Sequence, residues 1–206
     1  GIGRGPTALL SAGGLEVREQ SMAGEADISD VTWIFGYGSL VWRPDFPFAE
    51  SRTGFVRGRA RRFWQASTDH RGLPDRPGRV VTLVPEPGHR CFGRAYRLRE
   101  EDRASVLAGL DHRERGGFTR ERVPMQFNDG GGTGTTVSAL LYIATETNPN
   151  YLGPASLEEI ARQIGESHGP SGSNIEYLVK LADALRGMGA EDDHVFALEA
   201  MLGRGD

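Results

Sequence analysis

The spacing of apolar residues changes part-way along this chain. Residues 1–30 carry Gly, Ala, Ser and acidic side chains with little periodicity, which predicts a disordered N-terminal extension. Beyond it, apolar or alternating runs at Val31–Gly36, Gly54–Ser67, Arg79–Val84 and Cys91–Leu98 predict strands. Gly72-Leu73-Pro74 and Pro85-Glu86-Pro87-Gly88 punctuate them. A helix is predicted over Glu100–Leu110 with Ala104, Leu107 and Leu110 on one face, followed by strands at Thr119–Phe127 and Val137–Ala144 around the glycine-rich connection Asp129–Gly134. The period then becomes helical. Leu157–Ser167 follows the cap Ser156, Ile175, Leu178, Val179, Ala182 and Leu185 mark a second helix, and Val195, Leu198 and Leu202 a third. A β-rich half followed by helices predicts a single α+β domain over residues 31–206, with a curved or barrel-like mixed sheet.

Length agrees with one domain, since 206 residues suffice for one full core and are few for two. The 29 glycines predict many turns. A net charge of -4 gives no general affinity for nucleic acid or anionic membranes. Arg57, Arg59, Arg61 and Arg62 beside Phe63 and Trp64 are the one basic, aromatic stretch. Period-two alternation puts Arg57, Arg59 and Arg61 on one face, in water, with the aromatics inside. Cys91 stands alone, so no internal disulfide or cysteine-based metal site is expected, and a buried small hydrophobe is the simplest role for it. No apolar run is long enough to span a bilayer, and the first 22 residues lack a signal-peptide pattern. A cytoplasmic location is the expectation.

Two stretches carry candidate chemistry. Phe35-Gly36-Tyr37-Gly38-Ser39-Leu40 reads as a strand running into a tight turn, where two glycines let backbone N–H groups converge on an anion or a developing oxyanion. An ordinary turn after a buried strand is the plain alternative. The third glycine of a dinucleotide fingerprint is missing, and the 129–134 glycines lack a Gly-Lys-Ser/Thr ending, so neither motif binds a nucleotide. Asp111-His112-Arg113-Glu114-Arg115-Gly116-Gly117-Phe118 follows the first helix. The paired glycines and Phe118 suit a carboxylate, Glu114, that is desolvated for proton transfer, against a solvated charge cluster as the alternative. His89, His112, His168 and His194 show no metal-ligand spacing and are read as surface or cap residues. Ser67-Thr68-Asp69-His70-Arg71-Gly72 is read as a structural or substrate-lining loop rather than half of a triad. Tyr177 opens a helix and either packs there or lines a pocket mouth.

Taken in order, Phe35–Leu40, Arg61–Gln65, Ser67–Gly72, Pro77–Leu83, Leu110–Glu114, Tyr151–Pro154 and Gly169–Gly172 resemble the signatures of the ChaC family of glutathione-specific γ-glutamylcyclotransferases. The resemblance spans nearly everything from Trp33 to Leu202. It implies a small mixed β-barrel with surrounding helices, no metal or cofactor, and a carbon–nitrogen lyase that turns reduced glutathione into 5-oxoproline and cysteinylglycine. It places the catalytic acid/base on Glu114 and γ-glutamyl binding on Ile34, Phe35, Gly36, Tyr37, Gly38 and Ser39; Leu40 and Tyr177 are further substrate-binding candidates. No nucleic acid, membrane or protein partner is implied. Cyclisation of other γ-glutamyl amino acids or amines, and a non-catalytic γ-glutamyl-binding module, stay open beside it.

Overall fold

Five strands close into a barrel, in the order β1 (Trp33–Gly36), β3 (Gly78–Arg97), β2 (Glu50–Ser67), β4 (Thr119–Phe127) and β5 (Thr136–Ile143). The computed structural model describes residues 29–114, 116–128 and 134–203; the predicted extension up to residue 28 and the 129–133 connection lie outside them. The ring is shut where β1 runs parallel to β5, Trp33 opposite Ala139 and Ile34 opposite Leu140, while the other neighbours are antiparallel.

Burial on both faces explains why β1 is apolar without interruption. Trp33 and Phe35 point into the core that the barrel shares with the C-terminal helices. Ile34 faces the other way, against Val106, Leu107 and Leu110 of α1 (Glu100–Arg113). α1 runs three residues beyond the expected end at Leu110, and its buried face uses Val106 while Ala104 is exposed.

The two strands expected at 79–84 and 91–98 are one. β3 passes through Pro85 and Pro87, and its partner on β2 jumps from Arg57 opposite Arg90 to Arg59 opposite Pro85. Four residues of β3 thus bulge opposite Gly58, which has a φ of 72°, as Gly88 in the bulge has 81°. Proline and glycine mark a bulge here rather than a break.

α2 (Leu157–Glu166) starts from a capping box, Ser156 and Glu159 each satisfying the other's backbone N–H. A two-residue ribbon, β6 (His168–Gly169) with β7 (Gly172–Ser173), leads into α3 (Asn174–Gly187), capped by Ser173. Asp192 caps α4 (Asp193–Leu202) and also receives Arg61 of β2. Arg61, expected in water, is 1% exposed, whereas Arg57 is exposed. The N-terminus of α4 covers that face of β2, so the position needs a charge to meet Asp192. His194 is likewise no surface residue: its Nε2 accepts from the Phe63 N–H at 3.0 Å.

Candidate active site

β1 delivers Phe35-Gly36-Tyr37-Gly38 to one end of the barrel, where Ser39–Val41 form a single 3-10 turn. Neither glycine has a positive φ; space is what excludes a side chain. A Cβ on Gly36 would lie 2.7 Å from Leu40 Cβ, and one on Gly38 would lie 3.0 Å from the Tyr177 hydroxyl and 3.3 Å from Val81. The glycines let the turn fold back on itself and pack beside α3. Within the turn, the N–H groups of Val41, Trp42 and Arg43 are taken by Gly38 and Ser39 carbonyls.

A cavity of about 430 Å³ opens over this turn. Phe35, Gly36, Tyr37, Gly38, Ser39, Leu40, Glu114 and Tyr177 all line it. Ile34 does not; it packs on the opposite face of β1, under α1. Glu114 is therefore brought to the turn by the end of α1, for which it is the C-cap. Tyr177 is 5% exposed, and its hydroxyl accepts a long 3.4 Å bond from the Val81 N–H.

Electrostatics set Glu114 apart. Burial raises its pKa from the ordinary carboxylate value, Arg113 opposes the shift and Asp69 adds to it. Its side chain keeps 20% exposure, so it is desolvated yet reachable. Around it, burial pushes the Tyr177 phenol up to about 12 and raises that of Tyr37 as well, with the Glu114 charge contributing. Both phenols stay protonated at neutral pH. Tyr37 donates to the Tyr142 carbonyl at 2.5 Å, and the Tyr142 hydroxyl donates to Asp111 at 2.7 Å, so this wall is cross-tied.

Other lining residues carry weaker signals in the sequence. Asp69, His70 and Arg71 form one wall, which agrees with a lining loop and not with a triad: His70 Nδ1 meets Ser171 Oγ at 3.3 Å, and the Arg71 N–H donates to Ser67 Oγ. Arg71 is committed to Glu176 at 2.8 Å. Gln65, Tyr142 and Arg113 also line the cavity; no local pattern marks them, although Gln65 and Arg113 lie within the motifs that carry the resemblance. Cys91 is buried away from the cavity with its thiol pushed up to about 11, the state of a packed hydrophobe. Among the described residues no group of His, Cys, Asp or Glu is placed to hold a metal ion, and no helix is long and apolar enough to cross a membrane.

Residues 32–204 match the family model described as ChaC-like protein. The chain belongs to the ChaC-like family. A human protein named glutathione-specific gamma-glutamylcyclotransferase 1 is 47% identical over 175 residues, which cover 83% of this chain and 78% of the relative. The Schizosaccharomyces pombe glutathione-specific gamma-glutamylcyclotransferase is 36% identical, covering 82% of this chain and 90% of the relative. Among solved structures, that of the yeast gamma-glutamyl cyclotransferase specific to glutathione superposes with a TM-score of 0.79 at 30% identity, covering 84% of this chain and 96% of the yeast one. The ChaC-like barrel expected from the sequence is thus the fold observed.

Proposed function

We propose that this ChaC-like chain degrades reduced glutathione by intramolecular cyclisation, releasing 5-oxoproline and cysteinylglycine, with Glu114 as the proton carrier. The observation that supports it most is the meeting of a desolvated carboxylate with the glycine turn in one cavity. The names of the human and Schizosaccharomyces pombe relatives and of the yeast structure point to the same substrate.

The nucleophile is already part of the substrate. Its α-amine attacks its own γ-carbonyl, so holding the two in near-attack geometry contributes on the order of 7–11 kcal/mol through effective molarity. A covalent enzyme nucleophile adds nothing. The α-nitrogen–carbon bond forms as the γ-carbon–cysteinyl nitrogen bond breaks. Of the three protons on the α-ammonium, one stays on the lactam and two end on the cysteinyl nitrogen. Glu114 accepts them from the first nitrogen, passes them to the second, and finishes unchanged. N–H groups of the Gly36–Ser39 turn stabilise the oxyanion, with Phe35, Leu40 and Tyr177 enclosing the γ-glutamyl carbons. Residues 31–206 work as one unit in this reading, because barrel, α1 and α3 each supply part of the wall. A cytoplasmic setting belongs to the same proposal; the single, buried Cys91 suits a reducing compartment.

The test is purified protein with reduced glutathione, both products quantified, and other γ-glutamyl compounds in parallel. Equimolar 5-oxoproline and cysteinylglycine is the expected result. Binding without either product overturns the catalytic reading, and equal turnover of all γ-glutamyl amines overturns the substrate.

A further inference from the structure

The wall beside Glu114 contains a cation that, among the described residues, no carboxylate meets at hydrogen-bond distance. Arg113 is the last residue of α1 and lines the cavity. Its Nη2 donates to the neutral Ser39 Oγ at 2.7 Å. Among the described residues, carboxylates come no nearer than 3.8 Å, from Nη1 to Asp45, and 3.9 Å, from Nε to Glu114. The other arginines on the cavity are engaged: Arg71 with Glu176 at 2.8 Å and Arg43 with Asp45 at 3.2 Å. Arg113 keeps one-third exposure of its side chain and a guanidinium fork whose remaining donors match a carboxylate.

We infer that Arg113 is the residue that recognises the α-carboxylate of the γ-glutamyl group and thereby selects substrates with a free amino-acid end. This rests on the reading of Glu114 given above. An α-amino acid carries its ammonium and its carboxylate on one carbon. Two consecutive protein residues of opposite sign, held too far apart to satisfy each other, receive both: Glu114 takes the ammonium and Arg113 the carboxylate. The bond from Arg113 to Ser39 fixes the cation to the turn that holds the γ-carbonyl, so the three substrate groups are positioned from one place. Burial of Glu114 strengthens the arrangement, since an unpaired ammonium is otherwise drawn poorly into a desolvated site.

Two analogues separate the contacts. In one, the γ-glutamyl α-carboxylate of glutathione is converted to the primary amide; in the other, only the glycine carboxylate is esterified. Wild-type protein is expected to favour glutathione over the α-amide by about 10- to 100-fold in kcat/KM, as for a charge-assisted hydrogen bond lost from a desolvated site. Arg113→Met brings that ratio to within about threefold of unity, and Arg113→Lys leaves an intermediate value. The ratio of glutathione to the glycine ester is the same in wild type and Arg113→Met. Equal losses on glutathione and the α-amide, with their ratio kept, overturn the inference and make Arg113 a structural tie to Ser39. A ratio that collapses for the glycine ester instead also overturns it. Calorimetric binding of the same compounds to Glu114→Gln protein, with and without Arg113→Met, gives the ratio where turnover is absent. If wild type forms no product yet these ratios hold, the catalytic reading fails and the recognition stands; product without the ratios gives the reverse.

Discussion

Two arginine–carboxylate pairs sit at either end of one chemical scale. Arg61 and Asp192 are buried and in direct contact at 2.5 Å, while Arg113 and Glu114 are adjacent in sequence but 3.9 Å apart at a cavity wall. Arg61 spends its other donors on the carbonyls of Tyr37, at 2.8 Å, and Phe92. Asp192 caps α4 through the Val195 N–H at 3.0 Å. Every charge in that pair has a protein partner, so it joins β2 to α4 and has nothing left for a ligand. In the other pair the carboxylate is desolvated without being satisfied, and its pKa rises instead. Pairing geometry, more than residue type, separates the structural carboxylate from the one proposed to react.

Glu114→Gln breaks the comparison most directly. Turnover should fall roughly 10²- to 10⁴-fold, the usual worth of a positioned acid/base, while glutathione still binds. Stability should move the other way. A carboxyl whose native pKa is raised binds its proton more tightly folded than unfolded, so stability falls as pH rises from the unfolded carboxyl range through the native pKa, and the loss is complete above it. Glutamine has no charge to desolvate, and the variant should melt at or above the wild-type temperature at pH 7. The acid limb of wild-type kcat/KM should be displaced upward from the ordinary carboxylate value for the same reason. Wild-type product formation by Glu114→Gln, or collapse of its fold, contradicts the assignment.

Asp192→Ala probes the closed pair. It leaves Arg61 charged and buried and removes the α4 cap, a loss on the order of 3–5 kcal/mol in urea unfolding. Asp192→Asn keeps the capping oxygen and should recover about 1 kcal/mol of it. Because Arg61 also holds the Tyr37 carbonyl, both variants should raise KM in the folded protein. A neutral Asp192→Ala would mean that the contact contributes little.

The two pairs also differ in how legible they were. Phe35–Leu40 and Glu114 could be read because each is a local pattern, a strand into glycines and a charge cluster before paired glycines. What joins them is not local. Tyr37 reaches the Tyr142 carbonyl only because β5 closes the barrel against β1. Arg61 was placed in water because alternation along β2 says nothing of a helix that arrives 131 residues later to cover it. The Pro-Glu-Pro-Gly run failed as a strand break for a related reason: pairing along a long β2 carries β3 through a bulge. Ile34 belongs to the same motif as its neighbours, yet alternation in β1 turns it to α1 and away from the cavity.

His194 gives the smallest effect and the finest test of the closed end. Its ring stacks on Phe63, 6.0 Å between centroids, and Nε2 accepts the Phe63 N–H, which requires the neutral imidazole. Burial, helped by Arg62, pushes its pKa from 6.5 down to about 4. Between those values the unfolded chain binds more protons than the native one, so this contribution to stability is full above pH 6.5 and is lost as pH falls toward 4, by on the order of 1–3 kcal/mol. Glu114 has the opposite sign, gaining stability as pH falls through its raised native pKa. Urea unfolding at pH 7.5 and 5 on the Glu114→Gln background therefore isolates the histidine slope. His194→Gln should flatten it on that background; an unchanged slope would place the acid-sensitive group elsewhere and leave the α4 contact with β2 resting on Arg61 and Asp192 alone.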